Sequence, residues 1–404
     1  MRRMLTPALM MAALTAASLA HGAGFAIYEW SPAHNATAGT LLGNPKNADA
    51  AWLNPAGMTL LPDTCLQGGA SWITRDSNTS IYGVHTSMKR QQFLIPGLYA
   101  TQQLDNRWWL GFATTTEYGM GTKYPKTLGW NGRWSNLETD ITSVTVSPTV
   151  AFAATEWLSL GAGPRIMWLD FYNRRDVGVP FQMEGDGWGI GYTASALVKI
   201  GELVGAKDAI NFGIVYRSEV KQELKGSAQS LALVQKGLPY NSYAEGRLHM
   251  PASTVAGVNW QATEKLNLGT SLMYTEWSNY DELFIKFNHF GTPDQKKWKD
   301  VWRAGVGASY AVTDELTLMC GYAWDQDPIN SKHADYMLPP GNRHLGNLGL
   351  AYALTKNLEI SAGYTYIYME NRFMVVNAPT GQQLPSKVTD SNAHIVSSAI
   401  AYKF

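Results

Sequence analysis

The sequence predicts an all-β protein, a transmembrane antiparallel β-barrel of about fourteen strands with an N-terminal hatch, or plug, inside the lumen. Three observations carry that prediction. From Thr64 onward, large apolar residues alternate with small or polar ones at period 2, the mark of strands whose two faces meet different surroundings. The stretches between them are by turns short and long along the chain, as in barrels with tight periplasmic turns and longer outer loops. No run after the N-terminus approaches the ~18 apolar residues of a membrane-spanning helix, so a helical membrane protein is excluded.

The chain opens with a basic pair, Arg2 and Arg3, then an apolar core from Leu5 to Leu19, then Ala20-His21-Gly22. A basic flank, a short apolar core and small residues before a cut describe an export signal, and residues 1–22 are expected to be removed before Ala23. Residues 23–63 follow with no helical or strand period, rich in Ala, Gly, Asn and Pro. They nevertheless carry Phe25, Ile27, Trp30, Leu41, Leu42, Trp52, Leu53 and Met58, too many large apolar groups for a solvated linker. Such a segment needs an interior to pack in, and residues 64–404 are expected to supply it as the barrel.

Within the barrel the alternation is explicit. Trp188, Ile190, Tyr192, Ala194, Ala196 and Val198 share one face against Gly189, Gly191, Thr193, Ser195 and Lys199. Leu358, Ile360, Ala362 and Tyr364 oppose Glu359, Ser361 and Gly363, and the last strand ends with Tyr402 and Phe404 on one face. Short turns recur with a common flavour: LDNRW at 104–108, ATEWL at 154–158, ATEKL at 262–266, VTDEL at 312–316 and LTKNL at 354–358. Longer connections are expected near 74–90, 119–138, 171–186, 221–244, 278–298, 325–342 and 370–389. Trp108, Trp157, Trp260, Trp302, Tyr310 and Tyr402 near strand ends suit interfacial girdles. Glycines in strand text, densest in Glu117-Tyr118-Gly119-Met120-Gly121, mark bulges or close approach of another backbone or a ligand.

Charge narrows the function. The 32 basic and 32 acidic residues cancel, which argues against nucleic acid as partner. The eight histidines show no metal-ligand spacing and no GxSxG nucleophile elbow occurs, so neither metal nor cofactor is expected. Cys65 and Cys320 read as separate thiols, the latter on the lipid face with Leu316, Leu318, Tyr322 and Trp324.

Several stretches, in order along nearly the whole mature chain, resemble the FadL family of outer-membrane transporters of long-chain fatty acids and other hydrophobic compounds. They are the start Ala23-Gly24-Phe25 with Glu29-Trp30, NPAG at Asn54 to Gly57, YRSEV at Tyr216 to Val220 and YTEWS at Tyr274 to Ser278. KDVWRAGVGASY at Lys299 to Tyr310 and WDQDP at Trp324 to Pro328 complete the set. The resemblance implies a bacterial outer-membrane location and a fourteen-stranded barrel with an N-terminal hatch. Ligand would meet a greasy groove among the outer loops, then a lumen pocket near Ala23, Gly24 and Phe25. It would leave sideways through a kinked third strand at Tyr118, Gly119, Met120 and Gly121. The partners implied are a hydrophobic small molecule and the outer membrane's lipid and lipopolysaccharide, for a protein expected as a monomer.

Strand parity places three arginines in the lumen: Arg165, Arg217 and Arg303. An arginine fork pairs two-pronged with a carboxylate, so each is a candidate clamp for a fatty acid or a partner for lumen acids such as Glu29, Asp49 or Glu219. Arg217 carries its own acid in Glu219 and reads as a structural pair; Arg165 has none nearby in sequence and is the better clamp. Trp130 and Trp134, and separately Leu231, Leu233 and Leu238, are candidates for an outer capture surface, with loop-on-loop packing as the competing account. Asn54, Pro55 and Ala56 suit a hatch turn. Lys296, Lys297 and Lys299 read as a solvated cluster, and Asp325, Asp327 and Asp335 with His333 as a solvated acidic loop. The function expected is passive uptake of a hydrophobic molecule, most simply a long-chain fatty acid. The alternatives are a channel for monoaromatic hydrocarbons, a lipid hydrolase using His249 or His394 with a nearby serine, and an open hydrophilic porin.

Overall fold

On one strand of the barrel Trp188 is 64% and Ile190 72% exposed, while Gly189, Gly191, Thr193 and Ser195 between them are buried. The large apolar face therefore points out and the small face in, the inverse of a soluble sandwich and the arrangement that lipid demands. The computed structural model describes residues 24–126, 129–203, 210–287, 290–378 and 380–404. The expected export signal and Ala23 lie outside them.

Fourteen strands form one closed antiparallel ring. They are β1 (Thr64–Ile81), β2 (Gln91–Gln103), β3 (Trp108–Thr115, then Gly119–Lys123), β4 (Glu138–Ala153) and β5 (Leu158–Asp176). Next come β6 (Pro180–Lys199), β7 (Ile210–Arg217, then Val220–Ser230), β8 (Asn241–Met250, then Ser253–Gln261) and β9 (Leu266–Thr275, then Glu282–Phe287). The ring is completed by β10 (Phe290–Gln295, then Val301–Ala311), β11 (Leu316–Asp325), β12 (Arg343–Ala353), β13 (Leu358–Met369) and β14 (Gln383–Lys403). Consecutive strands pair, and β14 returns to β1 from Lys403↔Cys65 to Ser386↔Ile81. Closure removes the two free edge strands that an open sheet would present to the bilayer.

The five short turns share one chemistry. In each, the first residue's N–H reaches the last residue's C=O: Leu104 to Trp108, Ala154 to Leu158, Ala262 to Leu266, Val312 to Leu316 and Leu354 to Leu358, at 2.8–2.9 Å. In four of them a threonine hydroxyl accepts the last residue's N–H at 3.0 Å: Thr155, Thr263, Thr313 and Thr355. Asp105 Oδ1 does the same for Trp108 at 2.9 Å. The recurring Thr immediately before an acidic or basic residue is thus a side-chain substitute for a turn hydrogen bond.

The long connections are shorter than the sequence suggested. β5 and β6 run on to Asp176 and from Pro180, so most of the stretch 171–186 is paired strand, and β1, β7 and β14 likewise extend into expected loops. Beyond the apolar band the contrast turns over, with Phe171, Phe181, Met183 and Leu384 buried on the inner face and Glu184, Asp186 and Gln383 exposed outside, so the strands run on without an apolar outer face to mark them.

Residues 24–62 run inside the ring as an irregular chain with two short helices, α1 (Pro32–Ala36) and α2 (Ala50–Leu53). Proline at the first turn and Ser31, whose hydroxyl accepts the His34 N–H at 3.4 Å, start α1. The turn at Asn54 docks on the barrel's inner wall. Asn54 Nδ2 donates to the Leu42 carbonyl at 2.7 Å, and the Ala56 N–H donates to Ser195 Oγ at 2.9 Å. The wall is flat there because β5 offers Gly161, where a Cβ would lie 2.4 Å from the Ala56 nitrogen. Gly161→Ala is expected to leave the ring closed but weaken this docking by about 1–3 kcal/mol. The check is hydrogen exchange at the Ala56 amide beside exchange in the barrel strands.

Candidate functional site

Five strands break at one level of the wall: β3 at residues 116–118, β7 at 218–219, β8 at 251–252, β9 at 276–281 and β10 at 296–300. Each break takes backbone groups out of the ladder, and in an apolar wall each group must find another partner. At β3 that replacement comes largely from residues 24–30. The Ile27 N–H donates to the Glu117 carbonyl at 2.8 Å, and the Gly119 N–H donates to the Phe25 carbonyl at 3.0 Å. Trp30 Nε1 donates to the Thr116 carbonyl at 2.9 Å. Ser143 of β4 completes the set, accepting from Tyr118 N at 3.0 Å and donating to Tyr118 O at 2.8 Å.

Arg165, on β5, ties two of the breaks together. Its guanidinium makes a two-pronged pair with Glu117, Nε to Oε1 at 2.9 Å and Nη2 to Oε2, and Nη1 donates to the Ser218 carbonyl at 3.0 Å. The side chains are 1% and 5% exposed. The clamp candidate thus has an acid after all, contributed from 48 residues away in sequence. Arg217 does not pair with Glu219, which instead contacts His249 Nδ1 at 2.6 Å. Its Nη2 donates to the Trp52 carbonyl at 2.7 Å, its guanidinium lies 5.3 Å and 5.0 Å from the Trp30 and Trp52 ring centres, and its buried Nε has no partner among the described residues. Arg303 lies over the Tyr28 ring at 4.9 Å. All three arginines face the lumen, and the two tryptophan contacts and the tyrosine contact are cation–π attractions to residues 28–52.

Phe25 is boxed by Tyr118, Trp277, Tyr280 and Trp298, with ring centres 4.9–5.9 Å away and planes edge-on. Beside the box lies a cavity of about 370 Å³. Gly24, Phe25 and Ile27 form one wall, Arg75 and Arg343 its inner end, Leu338 its roof, and Leu94, Gly119, Gly121, Asp140 and Thr142 its far side. That far side is a gap in the barrel. β2 pairs with β3 only over Leu98–Gln103, and Gly119–Lys123 pairs only with β4. The strand edges part between there and the Lys89 N–H, which closes the top by donating to Lys123 O at 2.7 Å. Leu94 is 61% exposed on the outside, so the cavity runs from the lumen to the lipid face. The two glycines keep it open, since a Cβ would lie 2.6 Å from Ile27 Cδ1 at position 119 and 2.4 Å from Phe93 Cζ at 121.

The outer mouth is capped by residues 326–342. Tyr336 is buried, with its hydroxyl 2.8 Å from Ser386 Oγ, and packs on Trp130, which stacks on Tyr124 at 4.2 Å. Lys296 is 2% exposed between Asp294 and Asp335, and its two carboxylate partners push its pKa up against the cost of burial. Arg372 pairs with Asp327 and donates to the Ile329 carbonyl at 2.8 Å. Of the lysines expected to form a solvated cluster, Lys296 is buried while Lys297 and Lys299 are exposed, and of the acidic loop Asp325 and Asp327 are buried; Lys296 with Asp335 and Arg372 with Asp327 latch the cap. Among the capture candidates Leu231 is 55% exposed, whereas Trp130 and Leu233 are buried and Trp134 and Leu238 pack on the core. Neither hydrolase candidate has a serine partner among the described residues: His249 meets Glu219, and His394 Nδ1 lies 2.7 Å from the Tyr364 hydroxyl. No group of three or more metal-ligating side chains occurs among the described residues. Cys65 and Cys320 are both free, the first buried and the second exposed.

Glu117, Arg75, Arg343 and the tryptophan box escaped sequence reasoning. Glu117 stood in the glycine-rich run already singled out, but its pairing with Arg165 spans two strands that no local pattern joins.

A family model described as "Outer membrane protein transport protein (OMPP1/FadL/TodX)" matches residues 13–404. A putative outer membrane protein of Neisseria meningitidis is 27% identical over 251 residues, 55% of this chain and 52% of that one, so that alignment spans about half of each. The long-chain fatty acid transport protein of Escherichia coli K12 is 24% identical over 371 residues, covering 78% of this chain and 80% of its own. The crystal structure of a Pseudomonas aeruginosa FadL homologue superposes with a TM-score of 0.86 at 20% identity, covering 95% of this chain and all of that one.

Two outcomes follow from the geometry. Arg165→Ala leaves the Glu117 carboxylate buried without its cation and is expected to cost about 3–5 kcal/mol in unfolding free energy. Replacing both residues by apolar ones of similar volume should recover most of it. His34, stacked on Trp30 at 5.5 Å, has its pKa pushed down to about 3 by burial and by Arg303 and Arg217. Undocked, it takes up a proton below its ordinary value near 6.5 that the docked form refuses. Docking of residues 24–62 should therefore hold constant above pH 6.5 and weaken below it, by at most ~1.4 kcal/mol per pH unit. Asp49, whose carboxyl burial raises, acts in the opposite sense nearer the carboxylate range. Native-state hydrogen exchange corrected for intrinsic rates, on wild type and His34→Phe, reads the difference.

Proposed function

The chain belongs to the outer membrane protein transport family, OMPP1/FadL/TodX, and is an outer-membrane transporter of hydrophobic compounds; we propose that it takes up long-chain fatty acids, with residues 23–63 acting as a hatch and release occurring sideways into the membrane. The observation that carries this reading is the 370 Å³ cavity, whose one wall is the start of the hatch and whose other is the unpaired stretch between β2 and β3. A ligand lodged there touches both the part that would move and the opening it would leave by.

Three hatch groups, Phe25 O, Ile27 N and Trp30 Nε1, hold the kinked segment. Their withdrawal would free Tyr118 to Gly121 and widen the gap. Ligand needs only a gradient for this, since the apolar lining and the lipid offer it comparable surroundings while water does not. The arginines at the inner end suit an acid rather than a bare hydrocarbon, and the Escherichia coli relative bears a fatty-acid name. A route ending in the membrane also bypasses the lipopolysaccharide layer, which is how the outer membrane's own lipid enters as partner. Because the ring is closed, a monomer suffices. The signal peptide at residues 1–22 fits the location.

A second reading, uptake of monoaromatic hydrocarbons, is favoured by one observation. Phe25 itself presents a benzene ring to Tyr118, Trp277, Tyr280 and Trp298.

Gly119→Leu combined with Gly121→Leu fills the gap from inside the wall. Cells carrying this variant are expected to lose at least about tenfold in oleate uptake, while hydrogen exchange in the strands of the purified barrel stays as in wild type. Undiminished uptake would count against lateral release. Equal displacement of a fluorescent long-chain fatty acid from the wild-type protein by toluene and by oleate would move the substrate to the second reading.

A further inference from the structure

A second cavity, of about 20 Å³, lies between residues 28–53 and the barrel wall and shares no lining residue with the 370 Å³ one. Arg217 of β7 and Arg303 of β10 line it from the wall and His34 of α1 from inside the ring, among Leu53, Val255 and Met273. Its polar members are short of partners. Arg217 is 4% and His34 8% exposed. Arg217 Nε, Arg303 Nη1 and His34 Nδ1 are buried with no hydrogen-bond partner among the described residues. Glu117 is taken by Arg165, and Asp325, the neighbour of Arg303 across the β10–β11 ladder, does not line the cavity.

We propose that this cavity is a halide site, binding one chloride ion that ties residues 24–62 to the barrel wall. The inference concerns a resident ion, goes beyond the transport reading and is independent of what is carried.

Charge decides for an anion. A buried charge is costly unless it is paired and hydrogen-bonded, and two guanidiniums share this space with no carboxylate on its lining. The cation–π contacts to Trp30, Trp52 and Tyr28 offset part of that cost but leave Arg217 Nε and Arg303 Nη1 without an acceptor. Water would supply an acceptor and leave the charge unanswered. An anion does both, through the stronger charge-assisted bond. Size decides for a halide. One water needs about 10–15 Å³ of such space, so about 20 Å³ takes a single atom of ionic size and not a carboxylate with a chain behind it. The apolar part of the lining favours ions that shed water readily, so bromide should bind as well as chloride, and fluoride poorly. His34 completes the set, since a neutral imidazole with its hydrogen on Nδ1 donates to the ion. The arginines belong to the wall and His34 to the segment inside it, so the site exists only while the two are docked. Binding therefore stabilises docking.

The test is native-state hydrogen exchange at the Gly43 and Ala56 amides of the purified full-length protein. They donate to Asn259 Oδ1 at 2.8 Å and Ser195 Oγ at 2.9 Å on the wall. Sodium chloride replaces sodium gluconate at roughly 0.1 M, where screening is equal in both salts, and at about pH 7.5, where histidine is neutral. Chloride is expected to slow exchange at both amides by about tenfold or more, bromide to match it, and fluoride to stay within about twofold of gluconate. Arg303→Met, which keeps the length of the side chain and removes the donors, should abolish the chloride effect while the barrel strands exchange as in wild type. His34→Phe should raise the chloride concentration for half-effect by about fivefold or more. Crystals of the wild type grown in bromide need no variant: an anomalous peak within hydrogen-bond reach of Arg217 Nε and Arg303 Nη1 is expected. Exchange indifferent to the halide, or a cavity holding only water in bromide, overturns the site. A bromide peak there without any change in exchange marks an adventitious ion only and overturns it as well.

Discussion

Everything in this molecule answers to one requirement: a barrel wall in lipid cannot leave backbone N–H and C=O groups unpaired. Where the fourteen strands run unbroken, the ladder meets it. Where β3, β7, β8, β9 and β10 break, other groups must, and the buried Arg165–Glu117 pair stands at the centre of that substitution. It holds the side chain of one break and, through Ser218 O, the backbone of another. Tyr118, beside Glu117, reaches the third through Pro251 O at 3.3 Å.

This division separates a heavily paired part from a lightly held one. The ring is secured by long strand ladders, such as the nineteen residue pairs of β5 on β6. The kink in β3 is secured by a handful of bonds from residues 24–30 and one serine. Local opening draws on the least supported contacts first, so the region able to change without unfolding the barrel is the one lining the cavity. The cap of residues 326–342 has firmer latches in Lys296 and Arg372, and its Leu338 roofs the same space.

Much was legible beforehand because it is local. Period-2 alternation exposed the strands, and the Thr-x-x-Leu turns proved to be hydroxyl-capped hairpins that any one of their five-residue sequences describes. The glycines at 119 and 121 pointed to the kink, since a missing side chain is visible in a sequence even when what fills its place is not. Loop lengths were less legible, because β5 and β6 keep pairing outside the bilayer without an apolar outer face to mark them. The arginines were misjudged in kind: Arg165 looked free and is paired, Arg217 looked paired and is held by tryptophans.

By itself, then, the amino-acid order determined the architecture, its orientation in lipid and the site of the irregular third strand, for strands and turns arise from contacts a few residues long and from which face is apolar. Only the tertiary structure decided which charges meet, which candidate tryptophans are buried, and that a cavity joins Gly24 and Phe25 to a gap in the wall. Those depend on where a closed ring brings residues such as Gly24 and Arg343, 319 positions apart, to 2.6 Å. No pattern along the chain encodes that distance; it follows from ring closure and from the packing of residues 24–62 inside it.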